Sequence, residues 1–486
     1  MPATSLDRRL SPWGMGLMAG GLTIIQGRWI VEETRSGARI RENAAVVVDG
    51  NTIVDVVEQR DAPEGTVLAV ESGLVLPGFV DLHNHSLNGP LFRGLVEDKS
   101  RGTTEGSLVY SMAMPMGDLA SRTLTDVEAK AVYRLGLLEA IKSGVTCMLD
   151  MWRPEHVAFF EAARELGIRA YGAPYVISQY VVGVDGQGHP IYAPRDADRD
   201  IRRFRDLFIE YDEGPHGRLR VVAGPHGTDT CSTAVLDKVR RMAEELGTLI
   251  TTHLSQSRAE CTYSMRVYGK TPVAFLQEQG LLGPGLIAAH CVFATDDDLL
   301  ILRDSGTSIA SCPLTYARGG IAAAFERFAS AGIRTGIGTD AYCFDFIEEL
   351  RVAGLMSKLA RGGSHVGDAE SVLRAGTTLG ADALQRPDLG RIAAGARADL
   401  IVVDLGRVGL QPVANPVKNL IWNCNAGDVR LVMIDGILRV ADGKAIGVDE
   451  ARVASDGAAA IERVWGFARA AGLMEEAVEA ASSVAD

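Results

Sequence analysis

Between residues 74 and 338 the chain alternates eight short apolar runs with longer stretches of helical periodicity. The runs cover residues 74–83, 145–150, 168–174, 219–223, 249–253, 286–290, 307–311 and 334–338. Helical patterns lie between them at 126–143, 154–166, 197–211, 233–246, 272–278, 296–304 and 322–331. Strands separated by helices pair in parallel, and eight such units close a barrel. The expected fold class is α/β, with a (β/α)8 TIM barrel at its centre.

The flanks read differently. Residues 22–70 and 390–445 are rich in Val and Ile, broken by turn signals such as Asp49-Gly50 and Asp435-Gly436. No long helix is expected in either, so both read as antiparallel strands. The simplest arrangement is one small β-sandwich made by both chain ends, from 22–75 and 389–450, beside a barrel over 76–388. An arm over 1–21 precedes them, and 451–486 follows with helical periodicity across 455–481. Residues 98–121 and 183–194 read as loose segments placed to serve as lids. The Tyr and Met residues of 110–116 are expected to pack such a lid against the barrel, the alternative being that they line an apolar substrate pocket.

Charge and cysteine usage remove several classes of function. The net charge of −13 repels phosphate backbones, and no Lys/Arg run breaks that field, so nucleic acid is excluded as a partner. The seven cysteines are scattered without a CxxC pair, which argues against a disulfide framework and for a reducing, cytoplasmic setting. Cys147, Cys291 and Cys312 fall in apolar strand contexts and read as core thiols. Arg8-Arg9 precedes a mildly apolar stretch that lacks a small-x-small cleavage site. No apolar run reaches the ~18 residues of a membrane span, so no membrane partner is expected.

The chemistry concentrates at strand ends. His83 and His85 stand two residues apart in Pro77-Gly78-Phe79-Val80-Asp81-Leu82-His83-Asn84-His85 and so point to one side of a strand. His253 and His290 close two further runs, and Asp340 follows the last. In a parallel barrel all strand C-termini open on one face, so these five residues meet in one mouth. Neutral imidazoles with one carboxylate are ordinary ligands for a divalent metal.

These motifs, with Phe92-Arg93-Gly94, Ser143-Gly144-Val145-Thr146, Ala289-His290-Cys291-Val292, Cys312-Pro313, Gly338-Thr339-Asp340 and Gly395-Ala396-Arg397-Ala398-Asp399-Leu400, resemble the amidohydrolase superfamily. The resemblance is to its mononuclear branch of triazine hydrolases and S-adenosylhomocysteine deaminases, and phenylurea and thiocarbamate hydrolases offer related chemistry. It implies that His83, His85, His253 and Asp340 hold one divalent metal, zinc ahead of iron, cobalt or manganese. It also implies a small-molecule substrate contacted by His226 and Arg318, and a homo-oligomer. Catalysis would fall to Asp340 as proton carrier, to His290 beside the oxyanion, and to Gln256.

Gln256 is the departure. Deaminases of this branch carry His-x-x-Glu after strand five, and the glutamate protonates a ring nitrogen. Here the segment is His253-Leu254-Ser255-Gln256. An amide cannot shuttle protons near neutrality. Cleaving a carbonyl C–N bond of an amide, urea or carbamate needs no such acid, because Asp340 alone can move the proton. Amidohydrolysis is therefore the leading expectation. The alternatives are an aminohydrolase of a purine-, pterin- or triazine-like ring, and a non-catalytic protein that keeps the metal and binds a ligand.

Overall fold

The computed structural model describes residues 21–34, 37–95, 109–152, 156–184 and 190–474. Its centre is a closed parallel barrel. The strands, in order, are Phe79–Asn84, Val145–Trp152, Arg169–Val176, Leu219–Val221 with Gly224–Pro225, Ile250–Leu254, Leu286–His290, Ser308–Ser311 and Thr335–Ile337. Consecutive strands pair in parallel register. Two single bridges complete the ring: Ala223 to Ile250 joins the fourth strand to the fifth, and Asn84 to Asp340 joins the first to the segment after the eighth.

The local causes are ordinary. The first three strands are buried along their whole length, as a sheet covered on both faces requires. The helices start on side-chain caps: Thr125, Ser232, Thr271 and Thr295 each accept a backbone N–H from the first turn. Left-handed glycines end several of them, among them Gly247 and Gly306.

One predicted strand is two. The run over 74–83 divides into Thr66–Pro77 and Phe79–Asn84. The first pairs with Leu400–Asp404 outside the barrel, and the second pairs with Val145–Trp152 inside it. The chain changes sheets at Gly78, where a Cβ would lie 2.2 Å from the Thr146 side chain. Hydrophobicity alone does not reveal such a switch, because residues 74–77 and 79–83 are buried alike on either side of it.

The flanking strands join one nine-stranded sheet that draws on both chain ends. The expectation of antiparallel pairing needs one correction. Thr23–Thr34 runs parallel to Thr66–Pro77, with other strands filling the connection, whereas the later flank pairs antiparallel around the short helix Pro416–Asn423. The turns at Asp49-Gly50 and Asp435-Gly436 do make hairpins, with Gly50, Asp435 and Gly436 all in left-handed conformations. Arg169, the first residue of the third barrel strand, clamps this sheet to the barrel floor. It reaches Asp399 at 2.6 and 3.0 Å and Asp435 at 2.7 Å.

The lid segments are structured where they are described. Val109–Ala113 is a π-helical turn that leads into the helix Met114–Thr123, with Tyr110, Met112, Met114 and Met116 buried. Gln179–Val184 and Pro190–Pro194 form a hairpin. The rest of both expected lids (98–108 and 185–189) and the arm over 1–20 lie outside the described residues. The last helix, Glu450–Ala470, starts earlier than its periodicity suggests and packs on Asp126–Lys142; residues 475–486 also lie outside. All seven cysteines are free, and burial pushes the Cys147 thiol up to about 12, as suits a core residue. Among the described residues no helix is long and apolar enough to cross a membrane.

Candidate active site

The strand ends deliver their polar residues to one point. The His83 ring lies 4.8 Å from that of His85 and 4.9 Å from those of His253 and His290, nearly perpendicular to all three. The Nε2 atoms of His85 and His253 are 3.4 Å apart. Asp340 Oδ1 lies 3.3 Å from His85 Nε2 and 3.8 Å from His83 Nε2. All five residues are buried.

Backbone hydrogen bonds orient these side chains. His253 Nδ1 is 2.8 Å from the carbonyl of His226, and His85 Nδ1 meets the carbonyl of Met151. Donation to a carbonyl places the proton on Nδ1 and leaves the Nε2 lone pair facing the cluster. Asp81 braces the first strand against the eighth. Its carboxylate accepts from the N–H of His83 at 3.2 Å and from the N–H and hydroxyl of Thr339 at 3.1 and 2.5 Å. His290 (φ 75°) and Asp340 (φ 59°) both adopt left-handed backbone, which turns each chain sharply as it leaves its strand.

Electrostatics favour neutral imidazoles. Burial, reinforced by the neighbouring rings, holds His83 and His290 well below the usual histidine range and His253 at about 4. Burial also pushes Asp340 up to about 6, against the pull of His253. Both ring nitrogens of His83 are buried without a hydrogen-bond partner, and a cation at the centre would satisfy one of them. The donor atoms of His83, His85 and His253 lie within 4.8 Å of one another, so the residues fit one divalent ion. His83, His290 and Cys312 form a second grouping of the same kind, although sequence reasoning placed Cys312 in the core.

The remaining expected residues divide. His226 joins the cluster, its ring 4.7 Å from that of His253 and its Nδ1 2.8 Å from Thr230 Oγ1. Gln256 is buried nearby. Its N–H donates to Glu260 at 2.8 Å, its carbonyl accepts from the Tyr316 hydroxyl at 2.8 Å, and its amide nitrogen has no partner. Arg318 stands exposed with its guanidinium 5.0 Å from the Tyr342 ring, outside the buried cluster. Two tyrosines went unnoticed in the sequence. Tyr175 places its hydroxyl 3.4 Å from His85 Nδ1 and its ring 4.8 Å from that of His226, and the Tyr316 ring lies 5.4 Å from that of His290. Tyr175 lies at the end of a barrel strand, so the reasoning that found the histidines could have found it too.

A family model described as Amidohydrolase family matches residues 74–438. The chain is 33% identical over 417 residues to a 5-methylthioadenosine/S-adenosylhomocysteine deaminase of Thermococcus onnurineus, covering 82% of this chain and 90% of that protein. It is 30% identical to a 5'-deoxyadenosine deaminase of Methanopyrus kandleri, covering 85% and 94%. Among solved structures, a glutamate-to-glutamine mutant of atrazine chlorohydrolase from Arthrobacter aurescens, complexed with zinc and atraton, superposes with a TM-score of 0.81 at 25% identity. That match covers 90% of this chain and all of the other. An adenosine deaminase from Xanthomonas campestris with bound zinc shares the fold at a TM-score of 0.79 and 23% identity, covering 91% and 98%.

Proposed function

The chain belongs to the amidohydrolase family and is a metal-dependent hydrolase of carbon–nitrogen bonds; from this premise we propose that it cleaves a carbonyl C–N bond, of amide, urea or carbamate type, in a small molecule. The observation that carries the reading is Gln256. It occupies the place after His253 where a ring-protonating acid would stand, and the carboxylate beside it is already committed. Glu260 accepts from the N–H of Gln256 with one oxygen and from the Thr228 hydroxyl with the other.

A divalent ion held by His83, His85, His253 and Asp340, zinc foremost, would supply a Lewis acid and lower the pKa of water at the site. Asp340, with Oδ1 3.3 Å from His85 Nε2, is the carboxylate within the cluster that carries the proton. It takes one from the attacking water and returns it to the departing nitrogen. His290, neutral in its buried setting, donates to the oxyanion as the carbonyl carbon becomes tetrahedral. Gln256 donates a hydrogen bond and moves no proton. Water thus adds to the carbonyl carbon, the C–N bond breaks, and the nitrogen leaves as an amine.

A second reading, deamination of an adenosine-like ring, is favoured by the names of the relatives, which are deaminases of such compounds. The two readings release different products. The zinc-loaded protein, offered ureas, carbamates, N-acyl amines and aminated heterocycles, should release amine and no ammonia from ring amines. Ammonia from a ring amine would replace the first reading with the second. No turnover of any compound on the panel, with one zinc per chain, would overturn both and leave a metal-retaining binding protein.

A further inference from the structure

Asp229 is fully buried in the loop that follows the fourth barrel strand, three residues beyond His226. Among the described residues no Lys, Arg or His forms an ion pair with it. Burying a carboxylate without a cation is costly, so its hydrogen bonds need an explanation. Asp229 Oδ2 accepts from two tyrosines. One is Tyr110, from the turn before Met114–Thr123, and the other is Tyr192, from the hairpin, at 2.8 Å. A third tie comes from Gln179, whose amide donates to the Asp229 carbonyl and to the Tyr263 hydroxyl at 2.8 Å. The two covering segments also meet directly, through the Tyr180 hydroxyl and Asp118 at 3.1 Å. Tyr110 shares one apolar cluster with Tyr175, which reaches His85, so the covering segments border the mouth.

The same loop also makes inward connections. Thr228, next to Asp229, donates to Glu260 Oε1 at 2.7 Å, and Glu260 Oε2 accepts the N–H of Gln256 at 2.8 Å. Thr230, on the other side, holds the His226 ring at 2.8 Å. Residues 228–230 therefore send successive side chains to Glu260, which holds Gln256, to the covering segments and to His226. We propose that Asp229 is a positioning residue: it fastens both covering segments to the 226–230 loop, and through Thr228 and Thr230 that fastening sets Gln256 and His226 at the substrate. The inference rests on the proposed function only in treating the mouth as a substrate site.

Hydrogen exchange on the full-length, zinc-loaded protein tests the idea without a substrate. Asp229→Asn and the milder Tyr192→Phe should each speed exchange about tenfold or more in peptides covering 109–123, 179–194 and 253–260. Peptides over 398–404, at the barrel floor, should exchange as before, and zinc content should not change. Acceleration confined to 109–123 and 179–194 would overturn the proposal, because the covers would then loosen without moving Gln256. Acceleration that spreads to 398–404 would overturn it as well, because Asp229 would then act on the whole fold. On any substrate the enzyme turns over, Tyr192→Phe should raise KM more than it lowers kcat, and the opposite split would count against the proposal.

Discussion

The N–H of Asp340 donates to the carbonyl of His83 at 2.9 Å, and the carbonyl of Asp340 accepts from the N–H of His85 at 2.9 Å. One β-bridge therefore both closes the barrel and sets three candidate metal ligands against one another. Gly338 makes this approach possible, because a Cβ there would lie 2.7 Å from the His83 carbonyl oxygen and 2.8 Å from its Cβ. Gly338→Ala should push the first strand away from the eighth. Metal affinity should fall by about 10–100-fold, as it does when supporting contacts of a ligand are lost. Dialysis against graded zinc, followed by elemental analysis, would show the loss, and unaltered affinity would mean that the bridge does not set the site.

Asp340→Asn removes the only proton carrier assigned to the reaction. With zinc saturating, kcat should fall by roughly 10²–10⁴-fold, the usual contribution of a positioned acid–base group. The substrate-saturated rate is the quantity to measure, and a loss below about tenfold would assign proton transfer elsewhere.

Gln256→Glu restores a carboxyl at the position where the amide stands. Ammonia release from an aminated heterocycle should rise by about tenfold or more, while amine release from a urea or amide should change little. Parallel assays of both products decide the matter. A large gain in amine release would mean that the carbonyl reaction also lacks an acid.

Glu260 gives stability a specific dependence on pH. Burial first, and Asp229 second, push its carboxyl from 4.5 up to about 8. Between those values the folded chain binds more protons than the unfolded one, so stability falls as pH rises through the window and levels off above about 8. Glu260→Gln cannot ionise, so its melting temperature should decline less steeply between pH 5 and pH 8 than that of the parent, a range of roughly three units taken from the same linkage. Calorimetry at several pH values would reveal parallel slopes if Glu260 does not titrate there.

Asp399→Ala leaves the Arg169 guanidinium, 1% exposed, with Asp435 alone. Breaking a buried pair costs about 3–5 kcal/mol, and here the cost falls on the joint between sheet and barrel. Urea unfolding should show the loss, while zinc content stays unchanged because the pair lies at the floor of the barrel. A midpoint within experimental error of the parent would show that Asp435 suffices.

The barrel and most of the candidate site were legible in the sequence, for a local reason. Strand and helix periodicities repeat over a few residues, and a histidine or aspartate at the end of an apolar run has only one face of a parallel barrel to occupy. That logic reached His83, His85, His253, His290 and Asp340 without knowledge of any contact. It failed where neighbours distant in sequence decide the outcome. The break at Gly78 depends on two sheets competing for one apolar run, and the parallel pairing of Thr23–Thr34 with Thr66–Pro77 depends on which strands fill the space between. Tyr110 and Tyr192 are 82 residues apart, and only folding brings both hydroxyls to Asp229. Residue type and spacing fixed which groups could reach the mouth. Tertiary packing decided how they are held there, because hydrogen-bond partners, burial and proton affinity arise between segments that no local pattern connects.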